Sequence, residues 1–137
     1  KENPTEIQLA CALVDKRTYE ITCRTHGGIK CYLQGGDEDA EIKLLTSNDA
    51  EASVKLNPFD RFVMASPGLL GAPNEKGQVF GTKPILESME EISNTQSVHD
   101  LRNQIFHKLD RHLGGRKPMQ DVSLVIMSVE NNVIKLV

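Results

Sequence analysis

The hydrophobic period of this chain changes twice along its length, and that change limits the folds open to it. From Ile7 to Ala65 the apolar residues come in short runs, several with alternating polar partners. From Thr82 to Leu113 they recur at steps of three and four, and from Val122 to Val129 they form one nearly continuous apolar stretch. Side chains repeat every second residue in a strand and about every 3.6 in a helix. The order is therefore five or six strands, two helices, then one or two strands. Strand and helix do not alternate, which argues against a parallel doubly wound sheet. The expected fold class is α+β with mostly antiparallel pairing.

The boundaries have local causes. Ile7 to Val14 and Tyr19 to Cys23 read as strands joined through Lys16 and Arg17, a four-residue connection suited to a hairpin. His26-Gly27-Gly28 breaks the pattern before a third strand, Ile29 to Leu33. Gly35-Gly36-Asp37-Glu38-Asp39 is a turn, Ile42 to Leu45 a fourth strand, and Ser53 to Leu56 another candidate. Asn57-Pro58-Phe59-Asp60 is a turn before the strand Arg61 to Ala65, which ends at Ser66-Pro67-Gly68. Gly71 to Gly81 reads as a loop. Thr82 can cap a helix to about Ile92, with Pro84 tolerated in its first turn. Ser97, with Asp100 three residues on, resembles a capping box for a second helix. Its stripe is Val98, Leu101, Ile105, Leu109 and Leu113, and Gly114-Gly115 stops it. Asn131-Asn132 can turn the chain into a last strand, Val133 to Val137.

At 137 residues the chain is long enough for one domain, 1–137. It is 39% hydrophobic with 16 Lys and Arg against 19 Asp and Glu, an ordinary composition for a packed core. That balance points to no nucleic-acid partner, and no apolar run is long enough for a membrane segment. The three cysteines, Cys11, Cys23 and Cys31, are an odd number without tight spacing, so a disulfide framework is not expected. Cys11 lies in an apolar run and is expected to pack as a small hydrophobe. Reduced thiols and no visible signal peptide suit the cytoplasm. The start at Lys1-Glu2-Asn3-Pro4, without Met, reads as a segment of something longer.

Four segments in order carry a family resemblance. IQLACALVDKRTYEITCRTHGG resembles a strand–turn–strand that relatives close with Ala-Gly-His. LNPFDRFVMASPGLLGAPNEKGQVFG resembles a stretch written L-x-x-G-D-x-L-x-x-x-T-D-G-L-x-E-A, followed by a loop ending in Phe-Gly. The two helices follow, and GGRKPMQDVSLVIMSVE resembles a closing D-D-I-T-L-V-V-L strand. Together these span roughly Ile7 to Glu130, and the chain resembles the C-terminal half of a SpoIIE/RsbU-like, PPM-type serine/threonine phosphatase domain. The resemblance implies a sandwich of two antiparallel sheets with helices packed outside. It also implies a two-metal centre of Mn or Mg at one end, held by aspartates. Such metals lower the pKa of a bridging water and make it the nucleophile; hard cations take oxygen ligands.

The departures from that pattern concern the metal. Two of the family's acidic motifs lie in the N-terminal half, upstream of Lys1. The Thr-Asp-Gly motif reads Ser66-Pro67-Gly68, so Pro67 stands where a ligand is expected. The first Asp of Asp-Asp-Ile-Thr is Gln120, a neutral amide, and Asp121 matches the second acidic position. Asp121 is therefore the one candidate metal ligand, no catalytic residue is assigned, and no cofactor is expected in this chain. Asp60 matches a family turn residue, and Ala-Gly-His reads Thr25-His26-Gly27-Gly28.

Other chemistry-bearing residues have plainer readings. His26 beside two glycines is a general-base candidate, but a turn role is favoured because the sequence places no acidic partner. His99, His107 and His112 lack the spacing of a helical metal pair. Asp37, Glu38 and Asp39 lack EF-hand spacing and read as a solvated turn. Gly114-Gly115-Arg116-Lys117 is a helix stop and basic loop rather than a phosphate loop. Glu87, Glu90 and Glu91 read as a solvated helix face.

The resemblance leads to three functional readings. The first is a catalytically impaired phosphatase-family domain in bacterial sigma-factor or stress-response signalling. It would hold a phosphorylated or unphosphorylated anti-sigma-factor antagonist, or regulate a neighbouring sensor domain. The second is part of an active Mn- or Mg-dependent phosphoprotein phosphatase. The third is an unrelated α+β interaction domain. Half a sandwich would also expose strand edges, so either a homodimer or a rearranged core is expected.

Overall fold

The computed structural model describes residues 7–37, 41–46, 49–93, 96–130 and 133–137. Six strands come first: β1 (Leu9–Asp15), β2 (Glu20–His26), β3 (Lys30–Gln34), β4 (Ile42–Thr46), β5 (Glu51–Lys55) and β6 (Arg61–Ala65). Three helices follow, α1 (Pro67–Leu70), α2 (Lys83–Glu91) and α3 (Val98–Leu113), then β7 (Leu124–Glu130) and β8 (Val133–Leu136). All strand pairs are antiparallel, in one sheet of order β1-β2-β5 and another of order β4-β3-β6-β7-β8.

Alternation along the strands builds three layers. In β6, Phe62 and Met64 turn toward the small sheet while Arg61, Val63 and Ala65 turn toward the helices. In β7, Met127 and Val129 make the first choice and Ile126 the second. The inter-sheet core is Ile21, Cys23, Cys31, Leu56, Phe62, Met127 and Val129. The other face of the large sheet packs on the stripe Val98, Leu101, Ile105, Leu109 and Leu113 of α3 and on Ile85 and Met89 of α2. Each such aliphatic side chain contributes about 1.5–3 kcal/mol when buried. Packing, more than propensity, therefore holds α3 in place.

Local chemistry sets the connections. The four-residue link between β1 and β2 closes with Asp15 Oδ1 accepting from the Arg17 and Thr18 amides and the Tyr19 amide donating to the Asp15 carbonyl. Asp60, 5% exposed, accepts from the Gly36 amide on Oδ1 and the Asn57 amide on Oδ2. That turn role matches the sequence reading. Ser97 Oγ accepts from the His99 amide at 3.1 Å and caps α3, and Gly114 closes the helix in the left-handed conformation.

A polar row crosses the helix-facing side of the large sheet. Gln34, Arg61 and Ser128 are register neighbours on β3, β6 and β7. The Arg61 guanidinium, 1% exposed, donates to Gln34 Oε1 at 2.6 and 3.1 Å and to the carbonyls of Met89 and Ser93. The last two carbonyls belong to the end of α2 and the residues after it, so a cation on the sheet caps a helix C-terminus.

Several expectations change. The Ser66-Pro67-Gly68 turn is the start of helix α1, since Pro67 supplies a helical φ and its missing N–H is not needed at the first position. Cys11 is exposed instead of packed inside, because alternation puts Leu9, Cys11 and Leu13 on the outer face of the edge strand β1. Arg61 belongs to the core despite its charge. Thr82 precedes α2 but makes no side-chain cap. Glu38, Asp39, Asn131 and Asn132 lie outside the described residues. No described helix is long and apolar enough to cross a membrane.

Candidate functional site

The β2–β3 connection, the end of β6 and the start of β7 come together at one end of the sandwich. The register fixes this, because Lys30 lies opposite Ala65 and Ala65 lies opposite Leu124. The Ser66 amide donates to the Ser123 carbonyl at 3.0 Å, and the Ser123 amide donates back to Ser66 Oγ at 2.9 Å. This exchange continues the β6–β7 ladder past its last pair and holds α1 against the segment that carries Gln120 and Asp121.

The contact there is close. A Cβ on Gly68 would stand 2.0 Å from the Asp121 carbonyl oxygen and 3.3 Å from Gln120 Cβ. Gly28, at φ +87, faces Pro67, whose Cγ would lie 3.3 Å from an added Cβ. Pro67 and Gln120, the two positions where the sequence resemblance would put metal ligands, thus lie at the same end of the sandwich. Gly68→Ala cannot be accommodated without moving backbone. We expect it to cost about 1–3 kcal/mol, read as a lower urea midpoint with unchanged slope.

The donors at this end are few. Pro67 offers no side-chain donor. Gln120 is exposed and neutral, and Asp121 is an exposed carboxylate. No three His, Cys, Asp or Glu side chains gather among the described residues. Hard divalent cations need several oxygen ligands and charge compensation. The donor set here does not fit a two-metal centre.

His26, at the end of β2, is bonded through Nδ1 to Asp49 Oδ1, both largely exposed. No local signal points to this partner, because Asp49 is 23 residues away and is delivered by the start of the β5 segment. Its amide is held by the Thr25 carbonyl at 2.8 Å. His112 is structural: Nε2 donates to the Ala72 carbonyl at 2.7 Å, and the ring meets Phe80 edge-on. His99 and His107 are exposed on α3. Arg116 donates to the carbonyls of Leu113 and Pro73, closing the C-terminus of α3 onto the loop before α2. Glu87 and Glu91 are not merely solvated, since Lys108 of α3 reaches both and ties α3 to α2. His112, Arg116, Lys108, Glu87 and Glu91 thus tie the helix layer together.

Known structures share this architecture. The chain superposes on the phosphatase domain of the cell-fate determinant SpoIIE from Bacillus subtilis with a TM-score of 0.74 at 15% identity, covering 93% of this chain and 60% of that one. A form of that domain presoaked with Mn matches with a TM-score of 0.69. The SiaA-PP2C domain of Pseudomonas aeruginosa gives 0.73 at 18% identity, covering 88% of this chain and 51% of that one. The Mycobacterium tuberculosis serine/threonine phosphatase PstP/Ppp gives 0.64 at 15% identity, covering 90% and 60%. The chain thus spans about 60% of the SpoIIE domain it matches. No curated protein sequence matches it. At these identities the structures establish the fold, an α+β PPM-type sandwich. The family model for Stage II sporulation protein E (SpoIIE) matches residues 7–130, nearly the whole chain. The chain belongs to the SpoIIE family.

Proposed function

We propose that this is a catalytically impaired SpoIIE-type phosphatase domain, a pseudophosphatase that acts as a protein-binding or regulatory module in bacterial sigma-factor signalling. One observation carries the reading. At the end of the sandwich where α1 meets the start of β7, Gly68 packs on the Asp121 backbone, while Pro67 and Gln120 bring no carboxylate. The surface there suits a partner protein, since Met119 is 83% exposed beside Gln120. Its ligand would be an anti-sigma-factor antagonist, phosphorylated or not, or a neighbouring sensor domain. The test is Mn²⁺-dependent hydrolysis of a phosphoseryl protein by this chain. We expect none above the metal-only blank, and turnover abolished by Asp121→Asn would overturn the reading.

A second reading, part of an active Mn- or Mg-dependent phosphatase, draws support from the exposed Asp121 carboxylate and from the share of the SpoIIE domain this chain spans. Upstream Gly-Asp and Asp-Gly motifs in a longer parent would favour it, with Asp121 as an auxiliary ligand. The third reading, an unrelated interaction domain, is set aside by the family match.

Self-association belongs to the same proposal. β1 ends the small sheet, and its outer face carries Leu9 (61% exposed) and Leu13 (71% exposed), preceded by Ile7 (67% exposed). An apolar edge of this kind invites strand pairing with a second copy. We expect light scattering to give a dimer mass that Leu13→Lys returns to monomer. A monomer throughout the concentration series would rule this out.

A further inference from the structure

The end of β2 and the residue just ahead of β5 assemble three polar side chains on the outer face of the small sheet. Alternation turns Ile21, Cys23 and Thr25 into the sandwich, so Arg24 and His26 stand outward and exposed. His26 Nδ1 bonds Asp49 Oδ1, with the two side chains 58% and 60% exposed. The backbone fixes Asp49 in place. Its amide donates to the Thr25 carbonyl at 2.8 Å, and it holds φ +65, a left-handed conformation that Asp and Asn tolerate better than most residues.

That bond sets the chemistry of the ring. A carboxylate at neutral pH only accepts, so Nδ1 carries the proton and the neutral imidazole keeps its lone pair on Nε2. Arg24 lies two residues back on the same face and has no ion pair or hydrogen bond among the described residues. Glu51 is its register partner on β5, without an ion pair between them. The set is a nucleophilic nitrogen, a carboxylate on the other nitrogen of its ring and a free guanidinium beside it. The other imidazoles lack this set. His112 Nε2 bonds the Ala72 carbonyl, and His99 and His107 are exposed on α3 with no carboxylate on either ring among the described residues.

We propose that His26 is a phosphoryl-acceptor site, modified at Nε2 by labile phosphoryl donors of the phosphoramidate class. The Nε2 lone pair attacks phosphorus and the P–N bond of the donor breaks. The donor nitrogen, already protonated, leaves as ammonia with the electron pair of that bond. Nothing is oxidised or reduced. The new P–N bond leaves one positive charge on the ring, which keeps its Nδ1 proton. Asp49 stands against that nitrogen, holds the ring in orientation and offsets the charge as it develops. Arg24 offers a planar fork of N–H groups to the phosphoryl oxygens. The pair is open to solvent, which suits a group delivered by a small donor more than a substrate enclosed for turnover. The inference does not rest on the pseudophosphatase reading. It bears on the same end of the sandwich, since His26 is two residues from Gly28, which packs on Pro67.

The test is incubation of the intact chain with potassium phosphoramidate at neutral pH, then digestion with trypsin in mild alkali, where phosphohistidine survives. Each histidine falls on its own peptide: His26 on residues 25–30, His99 on 77–102, His107 on 103–108 and His112 on 112–116. We expect the 25–30 peptide to gain one phosphoryl group first, at an initial rate on the order of fivefold above His99 and His107. Phosphorus–proton NMR correlation should place the group on Nε2. Asp49→Asn, which keeps the left-handed backbone, should bring His26 down to the rate of those two, and Arg24→Gln should slow it while leaving theirs unchanged. His112, with Nε2 held by the Ala72 carbonyl, should stay unmodified in every variant and so report that each is folded. Modification of His99 or His107 as fast as His26, a phosphoryl group on Nδ1 of His26, or a rate untouched by either variant would each overturn the proposal.

Discussion

Arg61→Ala is expected to lower stability by about 3–5 kcal/mol, enough to leave the chain largely unfolded near body temperature. The side chain is 1% exposed and donates four hydrogen bonds, to Gln34 and to the Met89 and Ser93 carbonyls. Removing it opens a cavity and strands those acceptors in the core, where an unmet acceptor costs about 1–3 kcal/mol. It also frees the end of α2 from the sheet. Arg61→Lys should lie between, because an ammonium keeps the charge but cannot present the planar fork that grips Gln34 and a carbonyl together. Arg61→Met should cost least of the three, since it removes the buried charge and fills the space, though the carbonyls stay unpaired. Urea denaturation ranks the variants. A loss under about 1 kcal/mol for Arg61→Ala would mean that the row from Gln34 to Ser128 does not hold α2.

The pH response follows from the same burial. Desolvation pulls Arg61 down from its ordinary value of 12.5 to about 10. Between those values the unfolded chain keeps a proton that the folded chain has released, so Arg61's contribution to stability rises with pH across that window. Below pH 10 the residue is charged in both states, and the cost of the alanine change is flat through neutrality.

Arg61 also shows where a one-dimensional reading stops. In sequence it opens an apolar run, Arg61 to Ala65, and the run correctly reads as a strand. Its burial was invisible because its partners are Gln34, 27 residues upstream, and a helix terminus 28 residues downstream. The same holds for His26 and Asp49, whose pairing needs β2 and the start of β5 side by side. Local signals worked where the cause is local. The α3 stripe, the Ser97 cap, the Gly114 stop and the Asp60 turn each rest on a few adjacent residues, and each is present. Cys11 misled because an apolar run at a sheet edge has two faces, and alternation gives one of them to solvent. The convergence of Pro67 with Gln120 was legible through the family motifs alone, since nothing in spacing places residues 53 apart in sequence together.

Titration of Mn²⁺ into this chain in chelator-stripped buffer should show no binding tighter than on the order of 1 mM. Asp121 alone provides a single carboxylate, and Gln120 adds an amide oxygen without charge. Pro67→Asp combined with Gln120→Asp should tighten binding at least tenfold, about 1.4 kcal/mol. The frame for this gain is in place: Gly68 is seated against the Asp121 carbonyl, and the Ser66–Ser123 exchange fixes α1 to the β7 approach. Residue 67 is the first position of α1, where an acidic side chain suits the free N–H groups of the helix start. The two new carboxylates would flank Asp121 and supply the charge that one residue cannot. Submillimolar binding by the natural chain would assign Asp121 to a working site and favour the active-phosphatase reading. No gain in the double variant would mean that the backbone, and not the two side chains alone, has left metal-binding geometry. A gain without hydrolysis is the expected result. It would show that the missing carboxylates account for lost affinity, while catalysis needs groups that this chain does not bring to the end of the sandwich.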